Sequence, residues 1–275
     1  MEFPNIIWFN GDFEYAREAC IQPSDQGLLT GHGIFETLIA HRGRPFTADR
    51  HYRRLKKSAQ RLELEIPSEE ALAHIMRSTI LVNDLETADQ CRLRVTITSG
   101  PEGGKATWMV SALPLAGFPA VASLAVLPYT RNENAALAGI KSTSFGDNVL
   151  ALREIKDRGF SEGIFANTKG NICEGTSTNV FIIQKDGKLI TPPLCDGCLP
   201  GITREIVIEL CKKEEILLAE QSMPLKEFEQ VRGAFLTSSL RGIQPVARIE
   251  NTQLKLDPKG LFTQLQRAYR ELSES

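Results

Sequence analysis

The chain has 275 residues and a formal net charge of -2, so its totals give no reason to expect a nucleic-acid or acidic-membrane partner. Hydrophobic residues make up 42% and charged residues 24%, which is typical of a soluble globular protein with one large or two ordinary domains. No apolar run approaches the roughly 18 residues of a membrane-spanning helix, and residues 1–5 show no signal-peptide pattern. The sequence therefore predicts a cytoplasmic location.

The first part of the chain has the signals of an α+β domain. Segment 6–15 is typical of a hairpin that turns at Asn10-Gly11, a pair suited to positive φ. Residues 48–62 repeat apolar side chains every three or four positions, which predicts an amphipathic helix. Ser68, followed by two glutamates, predicts the N-cap of a second helix. Strands are expected from alternating or β-rich patterns near residues 91–98, 108–115 and 124–129.

A polar, alanine-rich segment at residues 130–140 is interpreted as the connection between two domains, 1–129 and 141–275. Beyond it, apolar stretches on either side of Asp186-Gly187 predict another hairpin. The chain shows no internal repeat and no low-complexity tract. Two domains with a cleft between them are therefore the expected organisation.

The six cysteines lie at irregular spacing and do not describe a disulfide framework. Cys195 and Cys198 form a C-x-x-C pattern, but no second pair would complete four metal ligands, and the four histidines show no ligand spacing. We interpret this segment as a Pro/Gly-rich turn rather than a redox or metal site. No metal is predicted.

Three stretches are hard to explain as core alone. Lys141 stands among small and apolar residues directly after the predicted connection. Glu174 leads a run of small polar residues, 175–179, into an apolar strand. Residues 199–206 form a Pro-Gly turn that opens an apolar-periodic helix. Singly, these could be a solvated loop lysine, a turn residue and an ordinary helix start.

Together and in this order, the three stretches resemble the class IV aminotransferases, also called fold type IV pyridoxal-phosphate enzymes. That family includes branched-chain aminotransferases, D-amino acid aminotransferases and aminodeoxychorismate lyases. The resemblance extends over most of the chain, through residues 31–38, 51–55 and 241–246. It implies a two-domain α+β fold, with the cofactor in the interdomain cleft, and a homodimer.

The resemblance implies that Lys141 binds pyridoxal 5'-phosphate as a Schiff base. The lysine released by the substrate would then remove the α-proton and return it, acting as base and acid in turn. For this it must be partly neutral, which burial promotes. Glu174 would pair with the ring nitrogen and keep it protonated, so that the ring can accept electrons.

For the cofactor phosphate, the resemblance implies Arg54, which is expected on the exposed flank of the helix at 48–62, with Arg53 as its competitor. A helix N-terminus would add backbone N–H groups and the favourable end of its dipole. Hydroxyl groups from a later loop would complete the phosphate site, although an ordinary Ser/Thr turn is the plainer interpretation of that loop. The positions that match these additional donors are Ile202, Thr203, Ser238 and Ser239.

Substrate residues are less determined by the pattern. Phe145 stands near the position where many relatives have a tyrosine, and Ser99 stands where D-amino acid aminotransferases have an arginine. Phe35 lies in a weaker motif and is a candidate substrate contact. Arg92 and Arg94 share one strand face and could bind a substrate carboxylate, with a solvated face as the alternative.

The predicted function is transfer of an amino group between an amino acid, branched-chain-like or of D configuration, and a 2-oxo acid. The alternative is an aminodeoxychorismate lyase that releases 4-aminobenzoate and pyruvate, since that reaction also begins with removal of the α-proton. A third hypothesis is a non-catalytic protein that carries pyridoxal phosphate. The presence of both Lys141 and Glu174 argues against it, because carriage alone needs no electron sink.

Overall fold

The computed structural model describes residues 4–256 and 260–274. The first three residues, part of the segment predicted to lack a signal peptide, lie outside the described residues. Within the described chain, no helix combines the length and the apolar character needed to cross a membrane.

The chain divides into two compact units, and each draws on two separate stretches. The first consists of Met1–Gly117 and Ile140–Phe145, and the second of Phe118–Gly139 and Gly146–Ser275. The predicted division into consecutive segments differs from these units in two places. The strand that follows Phe118 belongs to the second unit, and the segment that contains Lys141 belongs to the first.

In the first unit, helices cover one face of an antiparallel sheet. Its elements are β1 (Ile6–Phe9), β2 (Asp12–Tyr15), α1 (Gln26–Leu29), β3 (Gly33–His41), β4 (Arg44–Pro45), α2 (Ala48–Arg61), α3 (Glu69–Leu81), β5 (Cys91–Thr98) and β6 (Thr107–Pro114). The described strands lie in the order β2-β1-β6-β5-β3-β4, and all these pairings are antiparallel. The predicted hairpin, both helices and the strands near 91–98 and 108–115 are confirmed.

The alternation in β5 explains how this sheet is used. Leu93, Val95 and Ile97 are fully buried in the core, whereas Arg92 and Arg94 on the other face are only half-buried. Because neighbouring side chains of a strand point to opposite faces, the two arginines share one face of the sheet. The predicted common face is confirmed.

The second unit contains a larger mixed sheet. Its elements are β7 (Ala122–Arg131), α4 (Gly146–Asp157), β8 (Glu162–Asn167), β9 (Ile172–Gly175), β10 (Asn179–Ile183), β11 (Leu189–Thr191), α5 (Ile202–Lys213), β12 (Leu218–Glu220), β13 (Gly233–Ser238), β14 (Gly242–Ile249), β15 (Thr252–Gln253) and α6 (Leu261–Glu274). The described strands follow the order β12-β11-β10-β13-β14-β7-β8-β9, with β15 paired to β14. β7 pairs in parallel with both β8 and β14. The predicted strand near 124–129 and the hairpin of β10 and β11 are confirmed.

The cap of α3 offers a direct test of how local sequence stabilises the first unit. The Ser68 hydroxyl oxygen accepts a hydrogen bond from the Ala71 N–H at 3.2 Å. We predict that Ser68→Ala lowers the free energy of unfolding by about 1 kcal/mol, measured by urea denaturation. Thr47, the N-cap of α2, makes no such bond and has a φ of 51°, so Thr47→Ala is the matched control. Equal losses in both variants would contradict the proposed capping role of Ser68.

Candidate active site

Lys141 lies on a short segment that pairs with β3 inside the first unit. The Phe35 N–H donates to the Lys141 carbonyl, and the Thr143 N–H donates to the Gly33 carbonyl, each at 2.9 Å. The Lys141 Nζ lies 4.3 Å from the centroid of the Phe35 ring and 5.9 Å from that of Phe145. These two rings meet edge to face at 5.5 Å. The amine is therefore half-buried against aromatic faces, which attract an ammonium group and limit its hydration.

Arg94 contacts the same aromatic ring as Lys141. Its guanidinium carbon lies 3.9 Å from the Phe35 centroid, and its Nε donates to the Thr96 hydroxyl at 3.2 Å. Burial and then the nearby charge of Arg92 lower the pKa of Arg94, but a guanidinium remains charged after such a shift. Among the described residues, no carboxylate forms an ion pair with Arg92 or Arg94. The amine of Lys141 and the guanidinium of Arg94 therefore contact the same aromatic ring.

The expectation that Arg54 lies on an exposed helix flank is wrong. Arg54 is buried on α2, and it donates from Nε and Nη2 to the two carboxylate oxygens of Glu36 at 2.8 and 2.7 Å. His51 Nδ1 contacts the same carboxylate at 2.7 Å. The exposed arginine is Arg53, which pairs with Asp49 one turn earlier. The physical reason is that Glu36 faces α2 from β3, and a buried carboxylate must be paired.

The charges in this cluster depend on one another. Burial alone would raise the pKa of Glu36, but the charge and hydrogen bonds of Arg54, aided by His51, hold it at about 2. Burial lowers the pKa of His51; Glu36 opposes this shift, whereas Arg54 and Lys141 add to it. Glu36 is therefore an anion at neutral pH, and the cluster lies within electrostatic reach of the Lys141 amine.

We predict that Arg54→Ala lowers the free energy of unfolding of the ligand-free protein by about 3–5 kcal/mol, because the buried Glu36 carboxylate loses its arginine partner. Arg53→Ala, which removes an exposed guanidinium, should cause no measurable change. The double variant Glu36→Gln with Arg54→Met should be more stable than Arg54→Ala. Denaturant titration measures all three, and equal stabilities for Arg53→Ala and Arg54→Ala would refute the importance of this pair.

Glu174 lies on β9 in the second unit, directly opposite Phe165 of β8. Its Oε2 accepts a hydrogen bond from the Leu199 N–H at 2.8 Å, and its Oε1 lies 3.4 Å from Nε of Arg131. The Glu174 side chain is 13% exposed. The carboxylate is therefore nearly buried and is held by both a backbone donor and a cation.

The N-terminus of α5 is fixed to the same loop. Gly201 is its N-cap, and a Cβ at that position would lie 1.9 Å from Oδ1 of Asn179. The Asn179 amide in turn donates to the Leu199 carbonyl at 2.9 Å. Since the N–H of Leu199 binds Glu174, this residue links the carboxylate to the start of the helix. A side chain at position 201 would therefore force the Asn179 amide to move.

The remaining predicted residues of this unit are hydroxyl or backbone donors. Thr203 is buried in the first turn of α5, and Ser238 and Ser239 are half-buried at the end of β13. The Ser238 hydroxyl accepts a hydrogen bond from the Arg241 N–H at 3.3 Å. Within the described chain, the buried hydroxyl groups of Thr178 and Thr237 form no hydrogen bond.

Each unit, taken by itself, carries groups whose chemistry suits a phosphorylated pyridine aldehyde. Lys141 supplies an amine, and Glu174 supplies a carboxylate suited to a ring nitrogen. The first turn of α5, at Ile202 and Thr203, has no side-chain cap on its backbone N–H groups, and such a helix start binds phosphate well.

The C-x-x-C segment forms a short 3-10 turn over Leu194–Asp196, followed by Gly197 with a φ of 95°. Cys195 is exposed, whereas Cys198 is buried, and burial followed by the charge of Glu174 raises the pKa of the Cys198 thiol to about 12. The thiol is therefore protonated at neutral pH and is a poor nucleophile. In the described part of the chain, no cluster of His, Cys, Asp or Glu has the arrangement of a metal site.

A family model described as amino-transferase class IV matches residues 33–249. The chain belongs to the class IV aminotransferase family. It is 32% identical to a protein of Methanocaldococcus jannaschii provisionally named a branched-chain-amino-acid aminotransferase, over 94% of this chain and 92% of that one. It is 30% identical to the aminodeoxychorismate lyase of Bacillus subtilis, over 89% and 87% of the two chains.

The fold is also that of the family. A solved branched-chain aminotransferase from Thermoproteus uzoniensis, crystallised with norvaline, superimposes with a TM-score of 0.88. The two chains are 27% identical, and the match covers 98% of this chain and 95% of the other. The predictions of the family and of the α+β, fold type IV architecture are confirmed. Class IV aminotransferases are pyridoxal-phosphate enzymes.

Sequence reasoning missed three residues that hold the candidate site residues in place. Glu36 and His51 stood in the recognised motifs without an assigned role, and Arg131 stood in the segment interpreted as a connection. A signal for Glu36 was present, because it lies two residues from both Ile34 and Leu38 and so shares their core-facing side of β3. No local signal indicated that Arg131 ends a strand beside Glu174.

Proposed function

We propose that this class IV aminotransferase transfers an amino group between an amino acid and a 2-oxo acid, with Lys141 as its catalytic residue. The observation that carries the proposal is the Lys141 amine, which is held by backbone pairing to β3 and lies 4.3 Å from the Phe35 ring centroid. Pyridoxal phosphate, when bound, supplies a carbonyl group for the amine and a ring that accepts the electrons released at the α-carbon. A lysine in this setting suits both covalent binding and proton transfer.

Lys141 and Glu174 have complementary roles in this proposal. Nζ of Lys141 would hold the cofactor at its carbonyl group, and the same amine would serve to accept the substrate α-proton and to return it. The Glu174 carboxylate would pair with the ring nitrogen and keep a proton on it, and a protonated ring is the stronger electron acceptor. The rings of Phe35 and Phe145 shield the lysine from water.

The phosphate would be bound by the first turn of α5 and by hydroxyl groups. Backbone N–H groups at Ile202 and Thr203 and the hydroxyls of Ser238 and Ser239 are the proposed donors. Arg54 remains a proposed donor, as a cation whose position is set by Glu36. A guanidinium that is already oriented loses less side-chain entropy when it binds an anion.

Arg94 is the proposed binding residue for a substrate carboxylate. Its guanidinium contacts the Phe35 ring that also contacts the Lys141 amine, and among the described residues no carboxylate forms an ion pair with it. Amino acids and 2-oxo acids both carry the carboxylate that such a group would bind. The apolar face of Phe35 favours a substrate with an apolar side chain, in line with the names of the Methanocaldococcus and Thermoproteus relatives.

We predict that Arg94→Leu raises KM for the amino acid or the 2-oxo acid by roughly tenfold to a hundredfold. This factor corresponds to a loss of about 1.5–3 kcal/mol of binding free energy for one charged hydrogen bond. The kcat value should change much less, because Arg94 does not move a proton. Arg77→Leu, at an exposed arginine of α3, is the matched control. Steady-state kinetics at varied substrate concentration would disprove the assignment if Arg94→Leu and Arg77→Leu behaved alike.

A homodimer in the cytoplasm completes the proposal. Its support is the family and the pairs of exposed apolar side chains at Leu28 and Leu29 of α1 and at Val149 and Leu150 of α4. Adjacent exposed apolar groups of this kind are typical of protein interfaces.

The decisive assay offers the purified protein a panel of amino donors with a 2-oxo acid and, separately, aminodeoxychorismate. We predict formation of a new amino acid, and a loss of turnover by several orders of magnitude in Lys141→Ala but not in the exposed control Lys105→Ala. Release of 4-aminobenzoate and pyruvate without amino transfer would favour the lyase, which the Bacillus subtilis relative makes the second candidate. Cofactor binding without either reaction would favour the hypothesis of a non-catalytic carrier.

A further inference from the structure

Three neighbouring strands of the second unit bring an arginine to the carboxylate of Glu174. Arg131 ends β7, Phe165 lies on β8, and Glu174 lies on β9. The Arg131 guanidinium carbon lies 4.3 Å from the centroid of the Phe165 ring, and its Nε lies 3.4 Å from Oε1 of Glu174. The guanidinium therefore stacks on an aromatic face while it forms an ion pair with the carboxylate.

A second contact fixes the other end of the guanidinium. Nη1 of Arg131 donates to Oδ1 of Asn148 at 3.4 Å, and the Asn148 amide donates to the Thr176 carbonyl at 2.6 Å. Thr176 lies two residues after Glu174, so this chain of contacts returns to the strand end that carries the carboxylate. Nε of Arg131 is buried and forms no hydrogen bond within the described chain, because its N–H does not point along the 3.4 Å ion-pair distance.

The charge of Arg131 determines where a proton shared with Glu174 would reside. A ring nitrogen and a carboxylate that share one proton have two arrangements, a neutral pair or a pyridinium with a carboxylate. In the pyridinium–carboxylate arrangement, the negative charge lies on the carboxylate beside the guanidinium and the positive charge lies on the ring. A cation that lies closer to the carboxylate than to the ring therefore favours this arrangement. Without that cation, the nearly buried carboxyl group would favour the neutral pair.

We propose that Arg131 is a positioning residue that holds Glu174 as an oriented carboxylate and thereby keeps the shared proton on the cofactor ring nitrogen. The inference rests on the proposed function, specifically on the pairing of Glu174 with that nitrogen. Arg131 touches neither substrate nor cofactor in this scheme and acts through Glu174. It sets the electron demand of the ring without supplying a reacting group.

The test loads the full-length protein with pyridoxal phosphate labelled with 15N in the ring and records the 15N chemical shift. Glu174→Gln defines the neutral-ring position for this protein. Arg131→Met should move the signal from its wild-type position by about half or more of the distance to the Glu174→Gln position. Arg131→Lys, which keeps the charge without the planar stacking group, should lie between wild type and Arg131→Met. Arg248→Met is the matched control, because Arg248 also stacks on a phenylalanine, Phe160, at 4.3 Å.

The outcomes separate the inference from the proposed function. A signal that moves in Glu174→Gln but stays at the wild-type position in Arg131→Met would overturn the inference alone. A wild-type signal already at the neutral position and unchanged in Glu174→Gln would overturn the role of Glu174 and the inference with it. If Arg131→Met does not fold, Arg131→Gln carries the test with the same expected shift, since it removes the charge and keeps a hydrogen-bond donor. A shift of equal size in Arg248→Met would reduce the effect to general destabilisation and would also overturn the inference.

Discussion

The backbone pairing between residues 140–145 and β3 is the constraint on which the placement of the Lys141 amine depends. Two hydrogen bonds, donated by the N–H groups of Phe35 and Thr143, hold this segment beside β3 in an isolated antiparallel bridge between Ile34 and Ser142. The approach is close: a Cβ at Gly33 would lie 2.8 Å from both the Ile97 carbonyl and the Thr143 hydroxyl. The role proposed for this amine, which is to bind a carbonyl and to move a proton, requires accurate placement, and pairing to a sheet provides it better than a free loop.

Each unit also pairs a carboxylate with an arginine, but the two carboxylates differ in burial and the two pairs differ in distance. Glu36 is fully buried, whereas Glu174 is 13% exposed. Arg54 forms two charge-assisted hydrogen bonds to Glu36 at 2.8 and 2.7 Å, whereas Arg131 stands 3.4 Å from Glu174. The first pair satisfies both carboxylate oxygens, which suits a role in stability and in orienting the arginine. The Arg131–Glu174 pair has the longer distance, so the Glu174 carboxylate can still accept a hydrogen bond from a further donor.

Local patterns in the sequence were enough to predict many of the helices, strands and turns. The strict alternation of β5, the Ser68 cap and the Asn10-Gly11 turn each reflect interactions between residues close in the chain. β3 was not predicted as a strand, because Ile34, Phe35 and Glu36 are all buried and the usual alternation is lost. Pairing of β7 with β8 and β14 joins distant parts of the chain and leaves no local pattern.

The candidate site was predictable in residue type more than in arrangement. Lys141 and Glu174 stood out because a lysine or glutamate among small and apolar residues is unusual, and the family resemblance then supplied their roles. The burial of Arg54 was not predictable, because helix periodicity does not reveal that a carboxylate on a distant strand faces the helix. Arg131 was missed for the same reason, since its partner lies 43 positions further along the chain and two strands away in the sheet.

The central claim is that Lys141 is the amine that binds the cofactor, and peptide mapping after chemical reduction tests it most directly. The protein is loaded with pyridoxal phosphate, treated with borohydride to fix the cofactor to its amine, digested and analysed by mass spectrometry. The account predicts one modified peptide, with the reduced cofactor on Lys141 and a loss of that adduct in Lys141→Ala. A stoichiometric adduct on any other lysine of the wild-type protein would contradict it.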